Sequence, residues 1–273
     1  MTVDVTIATR NSARTLGSCL EAVHSNIPFN KIIVIDGEST DDTLNIAKSF
    51  GAEIFVDDGL LGEVRYLQAQ KCETKWIAYI DSDVYVYSSW WPRVSKFTTV
   101  PGVGMILALG HTPVDHLPIY EDYLGHMARK YGTAAFSNTL VKRDLVLSCR
   151  QLLDNIHAGE DTILAKHISK LNQKIVTIPE QLVFHDKNTF YEHPQAFLRW
   201  GQSSRILGGI DGLRNVLKTL KNNLRNWGTF TRETKRLSVS LLLYLIYLWI
   251  CMVEGYLQAA SENKPASTGK RRR

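Results

Sequence analysis

Two carboxylates separated by one residue follow a run of apolar residues in the first third of the chain. Asp81 and Asp83 come directly after Trp76–Ile80, a run that predicts a buried strand. At a strand end, carboxylates at positions i and i+2 can converge on one divalent cation, and Mg²⁺ and Mn²⁺ prefer oxygen ligands. Such a cation neutralises the charge that develops on a departing diphosphate. Because the same spacing occurs in ordinary acidic turns, a metal site needs support from the rest of the chain.

Acidic residues also stand at two other points where a strand or a helix ends or begins. Asp36 follows the apolar run Lys31–Ile35, and at a strand tip it could accept hydrogen bonds from a nucleobase or a ribose. Glu160 and Asp161 precede an amphipathic helix predicted over residues 162–171. A carboxylate at a helix N-terminus is stabilised by the helix dipole, so capping is the simpler role. If Asp161 points into a pocket, it can serve as a general base.

Strands and helices alternate in the part of the chain that must position these residues. The predicted strands of this part are short, apolar and rich in β-branched residues: Val3–Ala8, Lys31–Ile35, Ala52–Val56 and Trp76–Ile80. This alternation predicts an α/β fold with a mostly parallel sheet flanked by helices. Ligands in such sheets bind beyond the carboxyl ends of the strands. The polar residues at those ends, among them Thr9 and Asn11, are therefore expected to meet in one pocket.

After about residue 100 the pattern is less regular. Gly102–Leu109 and Ala134–Val141 predict strands, and Ile175–Ile178 and Leu182–His185 predict two further short strands. Thr112–Lys130 is polar, aromatic and rich in His and Tyr, which predicts an excursion of the chain over the pocket.

The composition is that of a globular protein. The chain has 273 residues, of which 44% are hydrophobic and 22% are charged, and this excludes collagen, a disulfide-dense scaffold and wholesale disorder. The four cysteines are scattered without metal-binding spacing, so we interpret them as reduced packing residues in a cytosolic chain. The first residues predict a strand, and we expect no signal peptide.

Charge is distributed unevenly along the chain. Residues 1–198 carry a net charge of −5, and residues 199–273 carry a net charge of +10. The second part is therefore expected to contact an anionic partner or surface. Between residues 206 and 227 apolar positions recur at steps of three and four beside a basic row, Arg214, Lys218, Lys221 and Arg225. This predicts an amphipathic basic helix, which either packs on the protein's own core or lies at an anionic membrane surface.

An uncharged apolar segment follows that helix. No charge occurs between Arg236 and Glu254, and the 17 residues 237–253 would span about 26 Å as a helix, against a bilayer core of about 30 Å. Basic residues on both sides favour the cytoplasmic side for both flanks. The segment could dip into the membrane and return, pair with residues 206–227, or be buried within a soluble dimer. We predict association with the cytoplasmic face of a membrane, without a commitment to a full span.

Five sequence elements in this order resemble the family 2 glycosyltransferases: TIATRN, IDGESTDDT, G-x-x-R from Gly62 to Arg65, YIDSD and GED. The resemblance covers about residues 3–170. It implies the Rossmann-like GT-A fold and inverting transfer of a sugar from a nucleotide-diphosphate donor, such as GDP-mannose or a UDP-hexose, with Mn²⁺ or Mg²⁺. The C-terminal helices make the chain similar to the dolichyl-phosphate-mannose-synthase-like and minimal cellulose-synthase-like members. This implies a lipid-linked or glycan acceptor, for example a polyprenyl phosphate.

The resemblance also implies a role for each matching residue. Donor binding is implied for Thr9, Asn11, Asp36, Arg65, Asp81 and Asp83. Metal binding is implied for Asp81, Asp83 and His185, although a histidine at a strand end can equally be structural. Asp161, with Glu160 beside it, is implied as the catalytic base. Cellulose-synthase-like members have a Q-x-x-R-W element, and this chain has one residue too many between Gln195 and Arg199 to match it. Only Arg199 and Trp200 therefore carry over, as acceptor-binding residues.

We therefore predict three parts: a GT-A catalytic domain over 1–200, a basic amphipathic helix plus an apolar helix over 201–260, either membrane-associated or a helical pair, and a disordered basic tail over 261–273. The expected partners are a nucleotide sugar, an acceptor and a membrane surface, with no nucleic acid and with oligomerisation left open. Two alternatives remain. A nucleotidyltransferase usually has a Gly-rich loop after its first strand, which residues 8–15 lack. A non-catalytic membrane-binding scaffold would use the basic helix alone.

Overall fold

The computed structural model describes residues 1–114, 116–131, 136–154, 156, 158–187, 189–208 and 212–261. The predicted tail lies outside the described residues from residue 262 onward. Contacts divide the chain into two compact units. The first comprises Met1–Pro113, Ala128–Ile156 and Glu160–Lys187, and the second comprises Val114–Met127, His157–Gly159 and Asn188–Arg273. The predicted domain boundary at residue 200 falls inside a helix of the second unit, Thr189–Gly208.

The first unit contains the strands. In chain order these are β1 (Val3–Thr9), β2 (Phe29–Asp36), β3 (Glu53–Val56), β4 (Trp76–Ile80), β5 (Val84–Val86), β6 (Val103–His111), β7 (Asn138–Lys142) and β8 (Lys174–His185). They form one sheet in the order β3-β2-β1-β4-β7-β6-β8-β5. The pairs β1–β2, β2–β3, β1–β4 and β6–β8 are parallel, whereas β4–β7, β6–β7 and β5–β8 are antiparallel.

Helices connect these strands and continue into the second unit. They are α1 (Ala13–Asn26), α2 (Thr43–Ser49), α3 (Leu61–Lys71), α4 (Trp90–Val94), α5 (Pro118–Tyr131), α6 (Arg143–Leu147), α7 (Arg150–Leu153), α8 (Glu160–Lys170), α9 (Thr189–Gly208), α10 (Gly212–Thr234) and α11 (Val239–Ser261). The predicted α/β class with a mostly parallel sheet flanked by helices is confirmed, and helices follow the sheet at the C-terminal end.

Apolar side chains cover both faces of the sheet. One core cluster contains Leu16 and Leu20 of α1 against alternate residues of β1, and the other contains Ile33 and Ile77 against α3 and α8. Because successive side chains of a strand point to opposite faces, a strand buried on both sides must be apolar throughout. This is why the first strands are recognisable from sequence, and it places their carboxyl ends at one edge.

Three details differ from the predictions for the middle of the chain. Most of the segment expected to be an excursion over the pocket belongs to a helix, Pro118–Tyr131, whose tyrosines Tyr120 and Tyr123 are buried in the second unit. The two short strands expected around Ile175–Ile178 and Leu182–His185 are one strand, β8, with register irregularities along its pairing with β6. The three-residue strand β5 is too short to produce a sequence pattern.

In the second unit, α9, α10 and α11 pack together, and each of the three contacts the other two. Gly201 of α9 and Gly255 of α11 lie where a methyl group would overlap backbone atoms of the opposite helix, those of Met252 and Leu198 respectively. Small residues at these two positions therefore let the α9 and α11 backbones approach closely. Val216, Met252 and Tyr256 form an apolar cluster beside this contact.

Among the described residues, α11 is the helix that is long and apolar enough to cross a membrane, and 39% of its most apolar 18-residue stretch is buried inside the protein. Length and composition alone are weak support for a span, because core helices of soluble proteins pass the same test.

We expect Gly201→Ala to lower the free energy of unfolding by about 2–3 kcal/mol, because the added methyl group meets the backbone of α11, which cannot rotate away. Gly228→Ala in α10 is the matched control, since no atom lies within 4 Å of the position that its added methyl group would take. That control should gain up to about 1 kcal/mol from helix propensity. Urea unfolding followed by circular dichroism measures both, and equal stability of the two variants would contradict the close α9–α11 packing.

Candidate active site

The loops after β1 and β2 are joined by a buried carboxylate. Asp36, the last residue of β2, is fully buried and accepts hydrogen bonds from the Thr9 hydroxyl at 2.9 Å and the Ser39 hydroxyl at 2.6 Å. Its second oxygen accepts from the Ser39 backbone N–H at 2.8 Å. Because these contacts use both carboxylate oxygens, Asp36 first of all determines the shape of the loop that begins at Gly37.

Asn11 joins the same two loops on their exposed side. Its side-chain oxygen accepts a hydrogen bond from the Thr40 backbone N–H at 2.9 Å, and its backbone N–H donates one to the Ser39 hydroxyl at 2.7 Å. Asn11 has a φ of 50°, a left-handed conformation that asparagine tolerates better than most residues. In the next loop of the sheet edge, the Ser82 hydroxyl lies 3.0 Å from that of Ser12. The loops after β1, β2 and β4 therefore meet, as the strand pattern predicts.

Arg65 lies at the centre of a buried ion cluster. Its guanidinium, 4% exposed, donates to Asp81 Oδ1 at 2.8 Å, and its Nε lies 3.6 Å from Glu160 Oε1. The same group stacks 5.0 Å from the ring centre of Phe136. Burial disfavours the charged arginine, but Asp81 and Glu160 more than compensate, so the pKa of Arg65 is raised. Arg65 thus connects the carboxylate after β4 with the first turn of α8.

Gly62 explains the spacing of the G-x-x-R element. Its N–H donates to the Ile156 carbonyl at 3.1 Å, and a methyl group there would overlap the Leu153 backbone. Glycine therefore lets the first turn of α3 approach the segment that leads into α8. Three residues later, on the same side of the helix, Arg65 can reach Glu160.

Asp83 and His185 face each other at the pairing of β5 with β8. Asp83 Oδ1 lies 3.2 Å from His185 Nε2, and both side chains are mostly buried. Nε2 is buried and makes no well-formed hydrogen bond to a described residue. Burial favours the neutral acid, but the neighbouring His185 and Lys187 outweigh it and lower the pKa of Asp83. The site therefore holds a carboxylate and an imidazole nitrogen side by side.

Asp186 fixes the backbone next to His185. Its N–H donates to the Asp83 carbonyl at 2.8 Å, and its carboxylate accepts from the Tyr85 hydroxyl at 2.7 Å and from Arg14 at 3.0 Å. These contacts tie β5, β8 and α1 together at the point where His185 leaves the sheet. Sequence reasoning missed this cluster, because nothing in the spacing of Arg14, Tyr85 and Asp186 relates them.

Burial controls the ionisation of both acids at the start of α8. It raises the pKa of the Glu160 carboxyl to about 7, with Arg65 opposing and Asp161 reinforcing the shift. Burial likewise raises the pKa of Asp161, opposed by hydrogen bonds from Thr162. A carboxyl with a raised pKa is a better proton acceptor once ionised, which suits the role of a base.

The shift of Glu160 makes stability depend on pH. Because the folded state binds this proton more tightly than the unfolded chain does, the contribution is complete below about pH 4.5 and is lost as the pH rises through 7. We expect wild type to lose about 3 kcal/mol relative to Glu160→Gln over that range. Urea unfolding at several pH values measures the difference, with the exposed Glu21→Gln as control. Parallel pH profiles of wild type and Glu160→Gln would contradict the assignment.

The three residues for which the sequence resemblance implies metal binding are arranged as one facing pair and one separate side chain. Among the residues that the structure describes, no three His, Cys, Asp or Glu side chains are grouped so that they could hold an ion unaided. Asp83 and His185 are together, whereas Asp81 is bonded to Arg65. A carboxylate oxygen beside an unsatisfied imidazole nitrogen is a donor pair that suits Mn²⁺, with substrate oxygens and water completing the shell. The residues therefore fit a divalent ion held by two protein ligands.

The two residues carried over as acceptor ligands lie in the second unit. Arg199 and Trp200 are on α9 and are both exposed, Trp200 to 41%. The other predicted site residues belong to the first unit.

The sequence model of glycosyl transferase family 2 matches residues 4–134. An uncharacterized glycosyltransferase of Rickettsia prowazekii is 35% identical over 79 residues, and one of Rickettsia bellii is 37% identical over 79 residues. Each of these matches covers 28% of this chain, and the chain spans about a quarter (26%) of the length of these relatives. The family match and these relatives support a relationship between this chain and glycosyltransferase family 2.

Solved structures share the fold at low sequence identity. A mannosyltransferase of Pyrobaculum calidifontis in complex with GDP-Man and Mn²⁺ superposes with a TM-score of 0.65 at 12% identity, covering 97% of this chain and 89% of the other. Glucosyl-3-phosphoglycerate synthase of Mycobacterium tuberculosis, in complex with Mn²⁺, UDP and glucosyl-3-phosphoglycerate, has a TM-score of 0.52 at 16% identity, covering 70% and 74%. These likenesses show a GT-A-like fold.

Proposed function

We propose that this chain, whose residues 4–134 match glycosyl transferase family 2, is an inverting hexosyltransferase that uses a nucleotide-diphosphate sugar. One observation carries the proposal. Arg65 is shared by Asp81 and Glu160, so the D-S-D element and the G-E-D element, distant in sequence, are held by one buried cation. A donor-binding loop and a catalytic carboxylate that must act on one sugar need such a fixed relation.

Asp83 and His185 are the residues that would hold a divalent metal. The similar structures of the mannosyltransferase and of glucosyl-3-phosphoglycerate synthase contain Mn²⁺ together with GDP-Man and with UDP respectively, which supports Mn²⁺ here, with Mg²⁺ as the alternative. When bound, the ion supplies positive charge to the departing diphosphate. Arg65 is already paired with two carboxylates, so its part is to orient Asp81 and Glu160 rather than to bind phosphate directly.

The remaining residues have separate tasks in the reaction. Thr9, Asn11 and Asp36 shape the loop that receives the nucleoside. Asp161 takes the proton of an acceptor hydroxyl as that oxygen attacks the anomeric carbon opposite the diphosphate, which inverts the configuration. If the acceptor is a phosphate, its oxygen is already ionised, and Asp161 then orients the acceptor instead.

We further propose a lipid-linked acceptor, such as a polyprenyl phosphate, at the cytoplasmic face of a membrane, as in a dolichyl-phosphate-mannose-synthase-like enzyme. The net charge of +10 over residues 199–273 and the apolar α11 support this choice. Arg199 and Trp200 are the proposed acceptor ligands, because an exposed arginine can pair with a phosphate and an exposed indole with a sugar or an acyl chain. A glycan acceptor is the alternative for the same residues.

Assays with GDP-mannose and UDP-glucose, each with polyprenyl phosphate in detergent and with Mn²⁺, test the proposal. We expect release of nucleoside diphosphate in step with formation of a sugar-lipid, and loss of both after chelation of the metal. Formation of pyrophosphate from a nucleoside triphosphate and a sugar phosphate would indicate a nucleotidyltransferase instead. No turnover with any donor, together with intact membrane binding, would indicate a scaffold.

A further inference from the structure

A stripe of apolar side chains on α11 is exposed to solvent. Leu243, Tyr247, Ile250 and Leu257 are 61%, 48%, 52% and 58% exposed, and they recur at helical spacing on one face. Leu237 and Val239, just before and at the start of the helix, are also exposed. The faces of α11 that carry Leu245, Leu248 and Met252 are buried against the rest of the second unit.

A second exposed apolar stripe lies on α10. Leu213, Leu217 and Leu224 are 42%, 54% and 43% exposed and share one face of that helix. The basic row that the sequence predicts is exposed directly beside them, and it consists of Arg214, Lys218, Lys221 and Arg225. An apolar stripe bordered by lysine and arginine is the pattern of a helix that lies in the plane of an anionic membrane interface.

The two stripes lie on the same side of the helix pair. The helices are antiparallel, because the Trp227 indole donates to the Ser238 carbonyl and the Trp249 indole donates to the Val216 carbonyl. At about 100° per residue, the α10 stripe is turned about 80° from the face that contacts α11. The α11 stripe is turned about 130° from the face that contacts α10, and in antiparallel helices both rotations lead to the same side. The residues of α11 that contact α9 lie on the other side of the pair.

Bilayer lipid is the occupant that fits this combined face. If α11 alone crossed the bilayer, its sides would be covered inside the hydrocarbon region either by α10, which carries four basic residues, or by water. Charges in that region are costly. A two-fold dimer through the same face would instead bring two basic rows into one interface. Anionic headgroups match the basic row while acyl chains receive the leucines, so both features are satisfied together.

We infer that the α10–α11 face, defined by Leu213, Leu217, Leu224, Leu243, Tyr247, Ile250 and Leu257 with the adjoining basic row, binds the surface of an anionic membrane without crossing it. The inference rests on the proposed function, because it names the surface by which the enzyme would reach the membrane that contains its lipid acceptor. The binding itself needs no turnover.

Sedimentation of the full chain with vesicles tests the inference. We expect binding to vesicles containing phosphatidylglycerol at least tenfold tighter than to pure phosphatidylcholine, and weaker binding in high salt. Lys218→Gln with Lys221→Gln should weaken binding to the anionic vesicles about tenfold or more. Leu217→Gln with Ile250→Gln should weaken it to a similar extent, whereas Leu152→Gln, at an equally exposed leucine of the first unit, should not.

Two results would overturn the inference. One is equal vesicle binding by the wild type and the Leu217→Gln/Ile250→Gln variant. The other is a dimer in analytical ultracentrifugation that binds no vesicles and dissociates in that variant, which would identify the face as a contact between copies. Nucleotide release with detergent-solubilised acceptor, measured on the same variants, separates this outcome from failure of the proposed function, because the α10–α11 face contains no proposed catalytic residue.

Discussion

Asp83→Asn should lower the rate of sugar transfer about a thousandfold, equivalent to about 4 kcal/mol of transition-state stabilisation. The substitution keeps the size of the side chain but removes the negative charge that faces His185 at 3.2 Å. The proposed cation would then lose one of its two proposed protein ligands, and the departing diphosphate would lose compensating charge. Initial rates of nucleoside diphosphate release over a range of Mn²⁺ concentrations measure the effect.

Direct Mn²⁺ binding, followed by the electron paramagnetic resonance signal of the free ion, separates a metal ligand from a merely structural residue. We expect weaker Mn²⁺ binding in Asp83→Asn and in His185→Ala, and unchanged binding in Asp144→Asn, whose side chain lies in α6 outside the site. Transfer by Asp83→Asn at the wild-type rate, with unchanged Mn²⁺ affinity, would refute the assignment of this pair as the metal ligands.

Arg65→Met should lower the free energy of unfolding by about 3–5 kcal/mol. The guanidinium is almost fully buried between Asp81, Glu160 and Phe136, and methionine can replace its packing but not its charge. Asp81 is 30% exposed and can regain water, but Glu160 is left buried and must take up a proton. Chemical unfolding at pH 7.5, where that protonation costs more than at acidic pH, should give a larger difference than unfolding at acidic pH.

Two further variants distinguish ion pairing from general disruption of the core. Arg14→Met removes an arginine that is 63% exposed although it is bonded to Asp186, and we expect it to cost less than about 1 kcal/mol. Adding Glu160→Gln to Arg65→Met should restore part of the lost stability, because the uncompensated carboxylate is gone. A double variant no more stable than Arg65→Met would show that the loss came from packing alone.

Local patterns were sufficient for much of the first unit. The strands around Val5, Val34 and Ile77 are buried on both faces, so each is a continuous apolar run that can be recognised without knowing its neighbours. The order of strands and helices then predicts the α/β class and the sheet edge at which Thr9, Asp36 and Asp81 lie. Edge and short elements give no such signal, which is why β5 and the continuity of β8 were missed.

The C-terminal helices show the same division. Apolar spacing and the basic row predict an amphipathic helix over 206–227, and the structure has α10 over Gly212–Thr234. Which apolar residues are covered could not be predicted, because Val216 and Leu217 are equally apolar and differ only in the side of the helix that α11 covers.

The sequence by itself determined the class of the fold, the order of its elements and the acidic residues at the strand ends, since these follow from side-chain type and periodicity. Only the tertiary structure decided which acid pairs with which cation. Arg65 pairs with Asp81 and Glu160, whereas Asp83 faces His185. These pairs join residues far apart in the chain, and contacts of that kind depend on how strands register and helices pack, which no local pattern encodes.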